Sequence, residues 1–283
     1  MGIMSALFGR LGLGKPVVPT VTLSGPIGVA SPLRPGVTLA AVSGALERAF
    51  RYKRGVAVAI RINSPGGSPV QSRLIYSRIR TLAERHKKKV HVFIEDVGAS
   101  GGYLVALAGD EIIADSSSIV GSIGVVAAGF GFDKLIERVG IERRVYTSGP
   151  RKVMLDPFQP TKDEDVERLR AIQADIQQMF VDLVRERRAG KLTVPDEDLF
   201  TGEFWSGHRA HDLGLVDTLG DLRQTMQDRY GEDIRIVPVS TQRGFLSRRM
   251  GPFRDGGLTA DPSFAEDLVA TLETRAMWSR YGI

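Results

Sequence analysis

Two hydrophobic periods alternate along the chain, and together they predict strands followed by helices. Short, almost continuous apolar runs cover Val17–Leu23, Val56–Ile62 and Val90–Ile94, as is typical of strands buried on both faces. Over Thr38–Arg51, and again after Ser68, apolar residues recur every three or four positions, which predicts amphipathic helices. This alternation indicates an α/β fold with a largely parallel sheet.

The second helix has a clear start. Ser68 is expected as its N-cap, Pro69 as its first residue and Gln71 as a capping-box partner. The residues expected to face inward are Val70, Leu74, Ile79 and Leu82.

The second half of the chain continues the pattern. It predicts four strands: Glu111–Ala114, Ser122–Val126, Glu142–Tyr146 and Gly231–Ser240. It also predicts three helices: Asp133–Val139, a long one from a Thr161 cap to Arg188, and a terminal one over Ser263–Arg280.

These elements divide the chain into three sections. Residues 1–16 form a tail or a short membrane-surface segment, residues 17–240 form one α/β domain, and residues 241–283 form an arginine-rich loop followed by an amphipathic helix. No run reaches the roughly 18 apolar residues that span a bilayer, and we identify no signal peptide. The expected location is the cytoplasm or the periphery of the inner membrane. The basic loop at Arg243, Arg248, Arg249 and Arg254 offers a contact for anionic lipid.

Composition restricts the chemistry. The 283 residues include four histidines and no cysteine, which excludes disulfides, thiolate metal sites and a thiol nucleophile. The net charge of +5 is modest and dispersed, so we expect no nucleic-acid partner.

Glycine-rich turns provide the candidate active site. Residues 63–67 (Asn-Ser-Pro-Gly-Gly) and 98–102 (Gly-Ala-Ser-Gly-Gly) each follow a predicted strand and precede a helix. Such turns leave backbone N–H groups free to stabilise an oxyanion, and small neighbours let a substrate carbonyl approach Ser100. Ser100 could equally be an ordinary helix N-cap.

A nucleophilic serine needs a base. None of the four histidines, His86, His91, His208 and His211, is placed in a glycine-rich turn beside a carboxylate, so a Ser-His-Asp triad has little support. Lys152 follows a predicted strand in an otherwise apolar run, although a solvated loop lysine is the ordinary alternative. A free lysine is neutral about once in 2,500 molecules at pH 7, so a lysine base requires burial to lower its pKa.

These segments together resemble the S49 peptidases, the signal peptide peptidase SppA group, over roughly residues 17–222. The matching segments are 63–67, 98–103, 121–125 (Gly-Ser-Ile-Gly-Val), Ser148-Gly149 with Lys152 ahead of Pro157-Phe158, and 205–217. The resemblance implies a Clp/crotonase-like spiral of ββα-type units. It also implies a nucleophilic Ser100, Lys152 as general base, Ser122 orienting that lysine, and Gly67 as an oxyanion donor. We add the Gly101 amide as a second donor.

The implied activity is hydrolysis of peptide bonds through an acyl-enzyme, with signal peptides or other apolar peptides as substrates. The resemblance further implies a homo-oligomeric ring in which neighbouring copies complete each site. No metal or cofactor is expected. Two alternatives remain open: a crotonase-like acyl-CoA enzyme on the same fold, and an inactive scaffold that binds peptides or membrane proteins.

Overall fold

A computed structural model describes residues 15–28, 36–149, 151–241 and 275–282. These residues form a mixed α/β fold with one sheet of eight strands. The strands are β1 Val17–Ser24, β2 Ala57–Ser64, β3 Lys89–Ala99, β4 Glu111–Ala114, β5 Ile119–Gly121, β6 Phe204–Ser206, β7 Thr218–Leu219 and β8 Arg235–Pro238. The helices are α1 Leu39–Phe50, α2 Pro69–His86, α3 Gly101–Ala106, α4 Asp133–Arg138, α5 Asp163–Arg187, α6 Asp196–Leu199, α7 Gly207–Asp212 and α8 Leu222–Tyr230.

The sheet divides at its longest strand. The path runs β6-β5-β3-β2-β1-β8, and β4 and β7 branch from β3. The first half of β3 pairs with β4, from the His91–Glu111 pair onward, and its last residues, Val97 to Ala99, pair with β5. The β5–β6 pair is antiparallel and the other pairs are parallel. The carboxyl ends of β2, β3 and β5 therefore meet at one edge.

Strand predictions hold best in the core of the sheet. The runs predicted from Val17 and Val56 and the segment Glu111–Ala114 are strands, because they are apolar and buried between helices. The strand predicted from Val90 extends to Ala99. At the predicted Gly231–Ser240 strand, only Arg235–Pro238 pairs, along β1.

The start of α2 is partly as predicted. The Ser68 hydroxyl accepts a hydrogen bond from the Gln71 amide at 3.3 Å. The capping-box prediction is wrong, because the Gln71 side chain accepts from the Leu39 amide instead and so links α2 to α1. Val70 and Leu74 are exposed, and the buried face of α2 is formed by Ser72, Ile75, Ile79, Leu82 and Ala83.

The segment between β5 and α5 departs most from the sequence prediction. The strand predicted at Ser122–Val126 lies earlier, at Ile119–Gly121, and the one predicted at Glu142–Tyr146 has no regular structure. Helix α4 forms as expected but buries none of its residues. The long helix is capped by Lys162 rather than Thr161. This segment therefore packs only sparsely on the rest of its own chain.

Several predictions lie outside the described residues. These are the surface segment within residues 1–14, the arginine-rich loop at 243–257 and most of the terminal helix, of which residues 275–279 are described and helical. Among the described residues, no helix combines the length and the apolarity needed to cross a bilayer.

Candidate active site

The candidate site lies where three neighbouring parallel strands end. Ser64 ends β2, Ala99 precedes Ser100 at the end of β3, and Gly121 precedes Ser122 at the end of β5. Ligands of open α/β sheets bind at this edge, outside the carboxyl ends of the strands. The fold thus brings the three glycine-rich turns identified in the sequence to one place.

Ser100 has a backbone conformation that side chains rarely adopt. Its φ is +52° and its ψ is −122°, and its side chain makes no capping hydrogen bond at the start of α3. The turn is held by the Ser100 amide, which donates to the Gly121 carbonyl at 2.8 Å, and by the Ser100 carbonyl, which accepts from the Leu104 amide at 3.0 Å. Strained residues of this kind concentrate at functional sites, so this geometry favours a reactive serine over a simple N-cap.

The turn after β2 presents a free N–H group. Two bonds tie it to Ile27: the Ile27 amide donates to Gly66, and the Ile27 carbonyl accepts from Ser68. In such a parallel bridge the N–H of the central residue, Gly67, points to the opposite side. That side faces α3, since a Cβ built on Gly101 would lie 3.4 Å from the Gly67 nitrogen.

Close backbone packing explains the glycines. A Cβ on Gly66 would lie 2.8 Å from both the Ser100 Cβ and the Gly101 nitrogen, and one on Gly102 would lie 2.6 Å from the Ser64 carbonyl oxygen. The turns after β2 and β3 are therefore in direct contact. The Gly101 N–H, at the first position of α3, has no acceptor within that helix. The backbones of Gly67 and Gly101 thus lie next to each other and line one cleft with Ser100.

Ser122 lines the same cleft as Ser100 and is buried. Its φ is +51°, and its amide donates to the Glu203 carbonyl at 2.6 Å. Four non-glycine residues among those described have positive φ, and Ser100 and Ser122 are two of them. The structure therefore brings together Ser100, Ser122, Gly67 and Gly101.

Lys152 lies apart from this group. It belongs to the sparsely packed segment between β5 and α5, its side chain is exposed, and it lines neither of the clefts that contain Ser100. The described residues of a single copy therefore do not provide the apolar burial that a lysine base needs.

No histidine substitutes for it. His91 is buried, with Nδ1 2.9 Å from Glu111 and Nε2 2.8 Å from the Tyr230 hydroxyl, in the half of β3 remote from Ser100. His86 stacks on Phe50. The other two, His208 and His211, are exposed on α7, and none of the four lines either cleft.

Two clefts open on either side of Ser100, both beneath helix α5. The larger, of about 540 Å³, has a mixed wall: its polar side chains are Arg170, Gln173, Gln177, Thr201 and Arg280, and its apolar ones are Val125, Val126, Ala174 and Phe200. The smaller is apolar and contains both glycine amides, together with Leu104, Val125, Ile176, Met179 and Phe180.

Sequence reasoning missed the wall of the larger cleft. On a long amphipathic helix, arginine and glutamine are typical of a solvated face, so Arg170 and Gln177 gave no signal. Arg280 reaches the site because the end of the chain returns to it. There the Tyr281 hydroxyl lies 3.4 Å from the Pro65 carbonyl and its ring packs edge-on against Phe204.

Comparison with known proteins assigns the chain to a family. A family model described as Peptidase family S49 matches residues 83–231, just over half of the chain. The matched segment contains Ser100, Ser122 and Lys152, whereas Gly67 precedes it.

Several of the similar proteins are much longer than this chain. It is 55% identical over 249 residues, 86% of its length, to a Brucella abortus protein named Na(+)/H(+) antiporter NhaA, of which the match covers 34%. It is 35% identical over 178 residues to the chloroplastic serine protease SPPA of Arabidopsis thaliana, covering 62% of the chain and 25% of that protein. It is 30% identical over 176 residues to protease 4 of Haemophilus influenzae, covering 60% and 27%. The chain thus spans about a third or less of each of these relatives.

Proposed function

Because the chain belongs to peptidase family S49, we propose that it is a serine peptidase that hydrolyses peptide bonds through an acyl-enzyme on Ser100, with Lys152 as general base. The observation that carries this proposal is the strained Ser100, half-buried between two clefts and beside two backbone N–H groups. An acyl-CoA enzyme could use the same amides but would not require a strained serine.

In the proposed reaction each of these groups has a defined role. The Ser100 oxygen attacks the peptide carbonyl carbon while its proton passes to neutral Lys152. The Gly67 and Gly101 amides stabilise the resulting oxyanion. The C–N bond then breaks, and the leaving amine takes the proton from Lys152. Water attacks the ester, again through the lysine, which releases the acid and restores the serine.

A second copy of the chain is the proposed means of bringing Lys152 to a site. The segment that carries Lys152 exposes a set of large apolar side chains: Val126, Phe130, Leu135, Val139, Ile141 and Tyr146. An exposed patch of this kind is typical of a protein–protein contact. Docking against a neighbour would bury these side chains and, with them, the lysine. We therefore propose a ring of identical chains with sites shared between neighbours.

We also propose for this chain the spiral fold, the substrates and the membrane contact that the family suggests. The parallel sheet with helical crossovers is compatible with a Clp/crotonase-like spiral. Signal peptides or other apolar peptides are the proposed substrates on the basis of the family. Contact with a membrane surface would depend on residues 1–14 and 243–257.

Active-site labelling tests the nucleophile. A fluorophosphonate probe should label the wild-type protein at Ser100, identified by mass spectrometry of the tryptic peptide. The Ser100→Ala variant should be neither labelled nor active. The exposed Ser77, on α2, provides a matched control, and Ser77→Ala should behave as wild type. Label on another serine, or undiminished hydrolysis by Ser100→Ala, would refute the proposal, and a wholly unlabelled wild type would favour a scaffold.

Complementation tests the shared site. Ser100→Ala and Lys152→Ala are each expected to be inactive. If they are dissociated, mixed in equal amounts and reassembled, about a quarter of the sites should combine an intact serine with an intact lysine from the neighbour. Recovery of activity near that fraction supports sharing. If both variants are assembled yet no activity returns, each site is complete within one copy.

A further inference from the structure

The larger cleft beside Ser100 carries positive charge that nothing in it balances. Arg170, from α5, and Arg280, near the end of the chain, both line the cleft, and its lining residues include no aspartate or glutamate. Among the described residues, neither side chain forms an ion pair or a hydrogen bond. Two unpaired guanidinium groups therefore border the space next to the nucleophile.

The other arginines of α5 behave differently. Arg168 pairs with Glu164 and Arg185 pairs with Asp196, while Arg187 donates to the carbonyls of Leu107 and Gly109. Within the described part of the chain, Arg170 is the one arginine of this helix that lacks a partner, and it is also the one that lines the cleft.

Gln177, two helical turns beyond Arg170, leaves an acceptor unused. Its Nε2 donates to the carbonyls of Ile123 and Phe200, both at 3.2 Å, which fixes the side chain in the wall of the cleft. Its Oε1 is buried and has no partner among the described residues. A buried acceptor without a donor is costly, and an N–H group of a bound peptide would satisfy it.

We propose that the larger cleft binds a carboxylate of the substrate peptide, held by Arg170 and Arg280, while Gln177 Oε1 accepts a hydrogen bond from the peptide backbone. This inference rests on the proposed peptidase function and defines its substrate class. The planar guanidinium group forms paired hydrogen bonds with a carboxylate. The carboxylate is either an acidic side chain or the free carboxyl terminus of the peptide. The preferred substrate thus places a negative charge in the larger cleft.

Binding to the Ser100→Ala protein tests the inference without catalysis. The probes are fluorescein-labelled alanine-leucine heptapeptides in three forms. The first is neutral and amidated, the second is amidated with one glutamate placed at each position in turn, and the third is neutral with a free carboxyl terminus. When binding is measured by fluorescence anisotropy, one of the charged forms should bind at least about 10-fold more tightly than the neutral form. The difference should shrink as salt is raised.

Variants identify the side chains responsible. Arg170→Gln and Arg280→Gln, each combined with Ser100→Ala, should reduce the preference for the charged peptide about 10-fold and leave binding of the neutral peptide unchanged. Arg223, exposed on α8 and remote from the clefts, is the matched control, and Arg223→Gln should retain the full preference.

The outcomes separate this inference from the proposed function. Equal binding of charged and neutral peptides, or a preference that both arginine variants retain, overturns the carboxylate site even if Ser100 is labelled and peptides are cleaved. Conversely, an arginine-dependent preference in a protein whose Ser100 never reacts supports the site and refutes the peptidase. In the active protein, the same preference should appear in kcat/KM. The form that binds better shows whether an acidic side chain or a free carboxyl terminus is recognised.

Discussion

The Ser100 amide donates a 2.8 Å hydrogen bond to the carbonyl of Gly121. Since Gly121 directly precedes Ser122, this bond fixes two positive-φ serines relative to each other through the backbone. The ends of β3 and β5 are therefore joined at the point where both hydroxyls border one cleft. A base held by Ser122 would be held close to Ser100.

This relationship gives a prediction for Ser122→Ala. Removing the hydroxyl that we propose positions the lysine should lower kcat about 10-fold or more, because Lys152 becomes charged as it takes the proton and a hydrogen bond to a charged group contributes roughly 1.5–3 kcal/mol. KM should change little, since the hydroxyl acts in the chemical step rather than in binding. Steady-state kinetics over a pH series checks both expectations. A raised KM with unchanged kcat would instead make Ser122 a substrate contact, and Ser77→Ala again serves as the control.

Gly66→Ala should inactivate the site, although Gly66 has no role of its own in the proposed reaction. A Cβ at φ +99° would be strained and would lie 2.8 Å from the Ser100 Cβ, so the Ser100 turn must move. We expect loss of fluorophosphonate labelling and about 1–3 kcal/mol lower free energy of unfolding, measured by urea denaturation. Gly44→Ala is the control: it lies inside α1, meets only the end of the Arg48 side chain at 3.3 Å, and should gain up to about 1 kcal/mol. Full labelling of Gly66→Ala would contradict the proposed close packing.

The sequence predicts the Ser100 side of the site well, because local signals and long-range geometry agree there. Buried parallel strands are continuous apolar runs, and parallel strands joined by helices bring their carboxyl ends together. The turns after Ile62 and Val97 could therefore be placed side by side from the pattern alone. What the pattern could not show is that Ser100 adopts a positive φ, which depends on the contact with Gly66.

The structure of the segment that carries Lys152 was harder to predict from the sequence, for a physical reason. The segment Glu-Arg-Arg-Val-Tyr at residues 142–146 has strand-like residues, but a strand needs a neighbour, and none of the described residues pairs with it. Local periodicity does not show whether the strand that would pair with this segment belongs to the same copy of the chain or to another. The proposed assembly would account for the exposed Lys152 and for the exposed apolar residues of the same segment.

Assembly can be tested through these apolar residues. Phe130 and Tyr146 are 81% and 90% exposed, so replacing both with serine costs a single chain little. The doubly substituted protein should have a lower mass by light scattering and should lose peptidase activity while keeping its circular dichroism spectrum. Tyr52→Ser, at a partly exposed position remote from the segment, should leave the assembly intact. An unchanged mass for the double variant would show that another surface joins the copies.

The buried His91, in the half of β3 remote from Ser100, should make the free energy of unfolding depend on pH. Burial lowers the pKa of His91 below its ordinary value of 6.5, although the nearby Glu111 carboxylate opposes this shift and Arg229 adds to it. The unfolded chain therefore takes up a proton more readily than the folded chain. As pH falls below about 6.5, the free energy of unfolding should decrease, by up to about 1.4 kcal/mol for each pH unit.

Urea denaturation between pH 7.5 and 5 checks this expectation. His91→Gln removes the titrating group, so its stability should depend less on pH in this window than that of the wild type. For Glu111, burial would raise the pKa, but the hydrogen bonds from Arg229 and Thr218 outweigh burial and hold the pKa below 4.5, so this carboxylate titrates at lower pH.

His208→Gln, at an exposed position on α7, is the control and should keep the wild-type dependence of stability on pH. Equal slopes for the wild type and His91→Gln would mean that His91 is protonated equally well in the folded and unfolded states. Fluorophosphonate labelling of Ser100 should be the same in the His91→Gln variant, because the buried histidine lies in the opposite half of β3.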